Sequence, residues 1–484
     1  MSKGSKQSEI TRRSFLKTGV GTTAAGFAAL NGFAEIFPPR VLGANDRVRV
    51  AVIGLHDRGR DHIRALSKIQ NVEIAALCDV YMPILNQRLA EVEKMGRPKP
   101  KGYQDVRKLF EDKSIDAVSI ATPNSWHTLM GIWASQAGKD FYVEKPCSHN
   151  LWEGHQLLRA VQRYNRIGQH GTQCRASVAY KNAMKKLHGG LIGDIYMARG
   201  LCFKWRNTIG HTPPSPVPAG LNYDLWQGPA PTHVFTKNRF LYNWHWFWWY
   251  GDGDIGNQGI HQIDAARWGL GLRFPNKISA IGGHFMFDDD QQTPNTLNSA
   301  FEYYIPNAKP KMLEFEVRHW ITNHEAEIGT PARGVPKPKL PHVTSSSSQM
   351  PPVGAPSTIG AIFYGSKGYL SMGDEDAQTW GTWMGEGQEP GPTGESRHID
   401  DTVGNFQNWI DCVRSRRSED LDAPIEEAYV SAGLMQLANV SYRVGRTLHF
   451  DPETEQVIGD DEANLLLRDG DRGYRPPFVV PKVV

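Results

Sequence analysis

The sequence predicts an α/β protein in which an N-terminal doubly wound parallel sheet is followed by an α+β domain with a large, mostly antiparallel open sheet. Three observations predict it. Short apolar runs alternate with helical patterns from residue 48 to about 171; a glycine-bearing turn, Gly54-Leu55-His56-Asp57-Arg58-Gly59, follows the first run; and from residue 194 strand-like segments succeed one another with few helices between them. Regular strand–helix alternation points to parallel β-α-β units. Strands in succession favour antiparallel pairing with one face left open.

At 484 residues the chain is longer than one typical domain. Lys and Arg total 54 against 51 Asp and Glu, a net charge of +3, which is too even for the broad basic field of a nucleic-acid binder. The five cysteines, Cys78, Cys147, Cys174, Cys202 and Cys412, are widely spaced and form no CxxC pair. Neither a disulfide framework nor a metal site is expected. At the start, Thr11-Arg12-Arg13-Ser14-Phe15-Leu16-Lys17 precedes a Gly/Ala-rich apolar run over residues 20–34, which resembles a twin-arginine export signal. The run is too short to span a bilayer. Residues 1–44 are therefore read as signal and linker, membrane contact is expected only through that signal, and the mature chain is expected in the periplasm.

Residues 48–53 read as a buried strand, followed by the glycine turn and a helix over 61–69. Strand, glycine turn and helix together are the setting of a dinucleotide fingerprint, with Gly54 making the tight turn and Gly59 allowing close helix packing. His56 stands where the fingerprint has its second glycine. The next strand, 72–78, ends in Asp79, 25 residues after Gly54. A carboxylate there can accept from the ribose 2′-OH and would repel a 2′-phosphate, so NAD is the expected cofactor, with NADP left open.

A helix over 82–95 and a further helix opening at 103–106 lead to the strand 115–121 and then Thr122-Pro123-Asn124-Ser125-Trp126-His127, expected beside the nicotinamide half. A helix over 128–138 precedes the strand 141–143. That strand delivers Glu144-Lys145-Pro146-Cys147 at its carboxyl end, where open parallel sheets place their ligand crevices. Pro146 restricts the backbone and so aims Lys145. Taken alone, the tripeptide reads equally well as surface charge at the start of a loop. A helix over 151–164 and a strand over 167–173 complete the sheet.

In this order and spacing, Gly54 to Gly59, Asp79, Ala121-Thr122-Pro123-Asn124, His127 and Glu144-Lys145-Pro146 resemble the glucose-fructose oxidoreductase, inositol dehydrogenase and rhizopine-catabolism (Gfo/Idh/MocA) family. The similarity covers nearly the whole chain after the signal. It implies a Rossmann domain over 45–173 and a substrate and oligomerisation domain over 174–450; the end, over 451–484, carries charges and prolines and is read as an arm. It further implies cofactor contacts at Gly54, Arg58, Gly59, Asp79, Thr122, Pro123, Asn124, His127, Glu144 and Lys145, with Lys145 beside both the nicotinamide ring and the substrate hydroxyl. The open sheet would serve contacts in a homo-oligomer, a dimer or tetramer.

In the second half, strands are expected at 195–202, 278–287, 297–304, 312–317, 361–364 and 368–371, with surface loops at 211–220 and 330–357. Two helices follow, 402–416 and 424–443. Val403, Phe406, Trp409, Ile410 and Val413 recur at helical spacing in the first, which marks a packing face. The resemblance implies that the second packs back on the nucleotide-binding domain.

The aromatic run Trp244-His245-Trp246-Phe247-Trp248-Trp249-Tyr250 and the acids after it form a second constellation. Aromatic faces stack on the C–H faces of sugars, so Trp246, Trp248 and Asp254 are candidate substrate contacts, although each tryptophan reads equally well as core. Arg175, on the crossover out of the first sheet, is a further candidate. Asn257, His261, Asp264 and Trp268, spaced by 4, 3 and 4, would share one helix face. The family commonly has an Asp four residues before the His, where this chain has Asn257. Asparagine cannot take a proton, so either Lys145 and His261 carry the proton chemistry, with Asn257 fixing geometry, or Asp264 or Asp254 substitutes for the acid.

Together these residues predict an NAD(P)-dependent oxidoreductase acting on a sugar, polyol or glycoside hydroxyl, with a tightly held cofactor recycled in place. Two alternatives stand beside it: an NAD-dependent glycoside hydrolase working by transient oxidation and elimination, and a non-catalytic sugar- or cofactor-binding protein.

Overall fold

The computed structural model describes residues 46–320, 323–326, 328, 357–373, 380–394, 401–468 and 473–484. The expected export signal and, apart from Ser357, the loop at 330–357 lie outside the described residues.

The first half alternates strands and helices: β1 (Val48–Ile53), α1 (Asp57–Ser67), β2 (Val72–Cys78), α2 (Met82–Lys94), β3 (Lys101–Tyr103), α3 (Val106–Glu111), β4 (Ala117–Ile120), α4 (Asn124–Gln136), β5 (Asp140–Val143), α5 (Leu151–Tyr164) and β6 (Gly168–His170). The six strands pair in parallel in the order β3-β2-β1-β4-β5-β6. β1, β2, β4 and β5 are nearly continuous apolar runs because helices cover the sheet on both faces. The order reverses between β1 and β4, and a ligand crevice opens at such a switch point. The sequence reading missed β3 at 101–103, whose residues carry no apolar run because they lie at the sheet edge.

After α6 (Val178–His188), which the sequence reading also missed, come β7 (Ile195–Lys204), α7 (Tyr223–Gln227), α8 (Gly253–Asn257), α9 (Gly259–Leu270), β8 (Lys277–Gly283), β9 (Thr296–Tyr303), β10 (Lys311–His319), β11 (Thr358–Gly365), β12 (Gly368–Gly373), β13 (Trp380–Met384) and β14 (Glu389–Gly394). The chain closes with α10 (Asp401–Ser415), α11 (Ile425–Val444), β15 (Leu448–Asp451), β16 (Gln456–Val457) and α12 (Asp461–Leu466). The ten strands follow the order β14-β13-β12-β11-β7-β10-β9-β8-β15-β16, and only β7 and β10 run parallel. α9 lies against the face of β7 that carries Gly200, where a Cβ would meet Gln262 at 3.2 Å.

The two C-terminal helices hold the site in place. On α10, Phe406, Trp409, Ile410 and Val413 are buried in one cluster with Val48, Val50 and Val52 of β1. α11 is buried along nearly its whole length. Gln436 donates from it to the Ser148 carbonyl (2.8 Å), tying the helix to the segment that follows β5.

Candidate active site

The carboxyl ends of β1, β2, β4 and β5 bring Gly54, Asp79, Thr122 and Lys145 to one edge of the parallel sheet. Two solvent-open chambers that share His56, Ala121, Thr122, Leu241 and Trp244 run along that edge, of about 800 and 740 Å³. The first is mainly apolar and lined by Asp79, Val80, Tyr81, Pro123, Trp226 and Phe240 among others. The second holds Arg58, His127, Glu144, Lys145, Tyr242, His245 and Asn257.

The glycine turn fits a dinucleotide. Gly54 has φ of +79°, and a Cβ there would lie 2.4 Å from the Ala121 carbonyl oxygen; a Cβ on Gly59 would fall 1.8 Å from that of Gly54. Only glycine allows this approach. No side chain caps the N-terminus of α1, so its first backbone N–H groups are available to a pyrophosphate. The His56 side chain turns to Asp57 (3.1 Å). Asp79 accepts from the backbone N–H of Leu55 and of Tyr81, both at 2.8 Å, and thereby fixes the loop after Gly54 while facing the first chamber.

At the end of β5, the Glu144 carboxylate accepts from Arg58 Nε (2.7 Å) and pairs with His62 Nε2 (3.0 Å). Burial pushes this acid up, but Arg58 and then His62 outweigh it and hold Glu144 well below the usual carboxylate range. Lys145, joined to Pro146 by a cis peptide, donates from Nζ to the Asn257 carbonyl (2.5 Å) and to Asn257 Oδ1 (3.2 Å). Burial, opposed by Glu144, brings its ammonium down to about 8. The His127 nitrogens face the carbonyls of Pro146 (2.6 Å) and Thr122 (2.8 Å), tying together the loops after β4 and β5.

A model described as "oxidoreductase family, NAD-binding Rossmann fold" matches residues 48–172, and one described as "oxidoreductase family, C-terminal alpha/beta domain" matches 180–295 and 392–476. The chain belongs to the Gfo/Idh/MocA oxidoreductase family. It is 33% identical over 172 residues to a glycosyl hydrolase family 109 protein of Shewanella baltica, covering 32% of this chain and 37% of the relative. The chain thus spans little more than a third of that relative's length. Among solved structures, the aldose-aldose oxidoreductase of Caulobacter crescentus complexed with glycerol aligns at a TM-score of 0.59 and 15% identity, over 84% of this chain and all of the other. A levoglucosan dehydrogenase in complex with NADH and levoglucosan aligns at 0.58 and 16%, over 83% and 99%. At these identities the structures speak for the fold alone.

Within this family member, several residues expected at the site are elsewhere. The chain breaks its helix at Gln258 between α8 and α9, so Asn257 lies on a separate helix from His261, Asp264 and Trp268, which keep their spacing of 3 and 4 on α9. Asp264 accepts from Arg175 Nε (2.7 Å) and Nη2 (2.9 Å), and Ser431 donates to it as well (2.6 Å). Arg175 also lies over the Trp268 ring, 5.0 Å from its centroid. Both charges are buried and consumed by each other, which corrects the expected catalytic role of Asp264 and the substrate role of Arg175. Asp254 is likewise engaged, by Arg206 (2.9 and 3.1 Å) and His319 (2.9 Å).

Trp246 is 1% exposed and belongs to the core. Trp248 carries Arg443 over its ring at 5.2 Å and does not line either chamber. Asn124, 1% exposed, donates to Asp252 (3.0 Å) instead of facing the cleft. His261 lines neither chamber. Burial and then the charge of Lys145 push its pKa down to about 3, and Nδ1 has no protein partner. It is therefore a neutral ring at neutral pH.

The site also holds residues that spacing did not reveal. His62, fully buried, links Glu144 to Ser119 Oγ (2.7 Å). Tyr242 accepts from Asn257 Nδ2 (3.2 Å) and Arg206 Nη1 (2.9 Å). His245 stacks on Trp244 with ring centroids 3.6 Å apart. The aromatic run singled out the right segment, but only its packing against the sheet edge decides that Trp244, rather than Trp246, reaches the cleft.

Proposed function

We propose that this chain oxidises a hydroxyl-bearing carbon of a sugar or polyol, using a nicotinamide cofactor that stays bound through the cycle. The observation that carries this reading is the setting of Lys145. A neutral amine has two N–H groups and one lone pair; the two Asn257 oxygens accept both N–H groups and the lone pair is left for the second chamber. When bound, NAD supplies the hydride acceptor there. Lys145 takes the hydroxyl proton, Glu144 stays ionised beside it under Arg58, and Asn257 fixes the amine's orientation. NAD is preferred to NADP because Asp79 faces the first chamber and no Lys or Arg is found among the residues that line it.

Retention of the cofactor rests on the segment across the first chamber. Tyr81 and Leu221 form an antiparallel bridge, flanked by Met82 N–H to the Gly220 carbonyl (3.0 Å) and Asn222 N–H to the Val80 carbonyl (2.9 Å). Arg475 pairs with Asp224 of α7 (2.5 Å). A nucleotide beneath Leu225, Trp226 and Phe240 leaves only when this clamp opens. Export by the signal at residues 11–17 would require such retention, because the periplasm offers no expected supply of NAD. The open face of the ten-stranded sheet, with Ile281 76% exposed, is the surface on which a second copy would pair.

Denaturing the purified protein and identifying the released nucleotide by mass spectrometry tests the reading. About one NAD per chain is expected, and sugars added to the intact protein should convert it to the reduced form. Protein without nucleotide that neither binds NAD nor turns over any sugar overturns it. A second reading, a redox-neutral glycoside hydrolase, is favoured by the glycosyl hydrolase relative and by Asn257 in place of an acid. Release of nitrophenol from a nitrophenyl glycoside without added NAD supports hydrolysis, whereas a keto-sugar product supports oxidation.

A further inference from the structure

Tyr242 occupies a position whose chemistry the reading above does not use. Its hydroxyl oxygen accepts from the Asn257 amide (3.2 Å) and from the Arg206 guanidinium (2.9 Å). A phenol oxygen has two lone pairs and one O–H donor. Both donors here point at the oxygen, so its acceptor capacity is filled and the O–H must be directed elsewhere. Among the described residues no acceptor takes that proton, and Tyr242 lines the same chamber as Lys145, His245 and Asn257.

The two partners are themselves fixed. Arg206 is 5% exposed and bound to Asp254 through two nitrogens, and Asp254 is completed by His319. Asn257 cannot rotate freely, because its Oδ1 accepts from Lys145 while its Nδ2 donates to Tyr242. The amide therefore couples the amine to the phenol and fixes the direction of both. A carboxylate at 257 could accept from Lys145 but could not donate to the phenol oxygen. The exchange of acid for amide at this position thus removes one proton carrier and sets up a hydrogen-bond donor.

We propose that Tyr242 is the residue that holds the reacting oxygen of the substrate, donating its O–H to that oxygen while Lys145 removes the proton. The assignment rests on the reading of Lys145 as the base. As the hydroxyl proton leaves, negative charge develops on the substrate oxygen, and a donor already aimed at that point stabilises it without reorganisation. Arg206 holds the phenol oxygen in place, being itself fixed by Asp254. The charged and titratable groups around the phenol are Arg206 and, behind it, Asp254, together with His245 and Lys145 in the chamber.

The test uses the full chain with its own bound nucleotide and a panel of D-glucose, D-galactose, N-acetyl-D-galactosamine and myo-inositol, followed by reduction of the nucleotide. Tyr242→Phe keeps the ring and removes the whole hydroxyl, both the donor and the oxygen that accepts from Asn257 and Arg206. It should lower kcat per folded chain by about 100-fold on the sugar turned over best, with nucleotide content unchanged. Replacing Tyr242 with 3-fluorotyrosine, which retains packing and the acceptor oxygen while making the O–H a stronger hydrogen-bond donor, should change kcat by at least about threefold with KM unmoved; a merely structural tyrosine would not change it.

If Lys145→Ala abolishes turnover while Tyr242→Phe stays within about threefold of wild type, or if the fluorinated chain keeps the wild-type kcat, the assignment of Tyr242 is overturned and the hydride-transfer reading stands. If the wild-type chain reduces its nucleotide with none of the four sugars, or Lys145→Ala is as active as wild type, both fall together.

Discussion

Lys145 and Asn257 meet through two hydrogen bonds, one to the Asn257 carbonyl and one to its side-chain oxygen. The pair joins the end of β5 to the end of α8, 112 residues later in the chain. It fixes the orientation of an amine that burial has already made easier to deprotonate.

The first expected outcome concerns pH. The base form of Lys145 is the neutral amine, so kcat/KM for oxidation should rise with pH and level off above about 8. Lys145→Ala should remove the rising limb and cost about 100- to 10,000-fold in kcat. A profile measured from pH 6 to 10 that is flat, or that rises only near the ordinary lysine value, contradicts this.

Asn257→Asp places a carboxylate against the same amine. An opposite charge within hydrogen-bonding distance favours the ammonium, so the rising limb should move about 1 to 3 units towards alkaline pH. The variant also loses the donor to Tyr242. Its rate at neutral pH should fall, with partial recovery at high pH; an unmoved limb would show that the amine does not sense position 257.

Gly59→Ala probes the cradle without touching a charged group. The new methyl would fall 1.8 Å from the Gly54 carbonyl oxygen, so backbone must shift. A stability loss of at least about 1 to 3 kcal/mol is expected, by thermal or denaturant unfolding. Nucleotide content should drop with it, because the same shift withdraws the first turn of α1.

Asp264 and Arg175 make a contrasting case. Their side chains are 4% and 7% exposed, and removing either partner strands the other charge. Asp264→Ala should therefore cost about 3 to 5 kcal/mol of stability, while the folded fraction keeps its kcat. Burial raises the Asp264 carboxyl, but Arg175 outweighs it and holds the pKa at about 2. Its contribution to stability is therefore present above the ordinary aspartate value and lost as pH falls through about 2. Denaturant midpoints measured for wild type and variant should converge as acid is added.

Much of the fold was legible because it is written in local pattern. Apolar runs at regular spacing named β1, β2, β4 and β5, and the stripe from Phe406 to Val413 named the packing face of α10; the glycine turn announced α1, which starts at Asp57 inside the turn and not at 61. Residues close in sequence carry these signals, since a strand or helix buries its own periodic face. Lys145 was legible for the same reason: it follows directly from a buried strand, so its place at the carboxyl edge is set by the element before it.

What only the tertiary structure decided is which charges are left over for chemistry. Asp254 and Asp264 looked like acids beside a site, yet each is taken by an arginine 48 or 89 residues away. Nothing in local spacing tells a carboxylate that meets a substrate from one that neutralises a buried guanidinium. The same holds for Tyr242, whose oxygen is filled only because Asn257 and Arg206 arrive from separate elements. By itself, the sequence determined the scaffold and the lysine at its edge. Long-range pairing decided the remaining roles, because a buried charge must find a partner wherever the fold brings one.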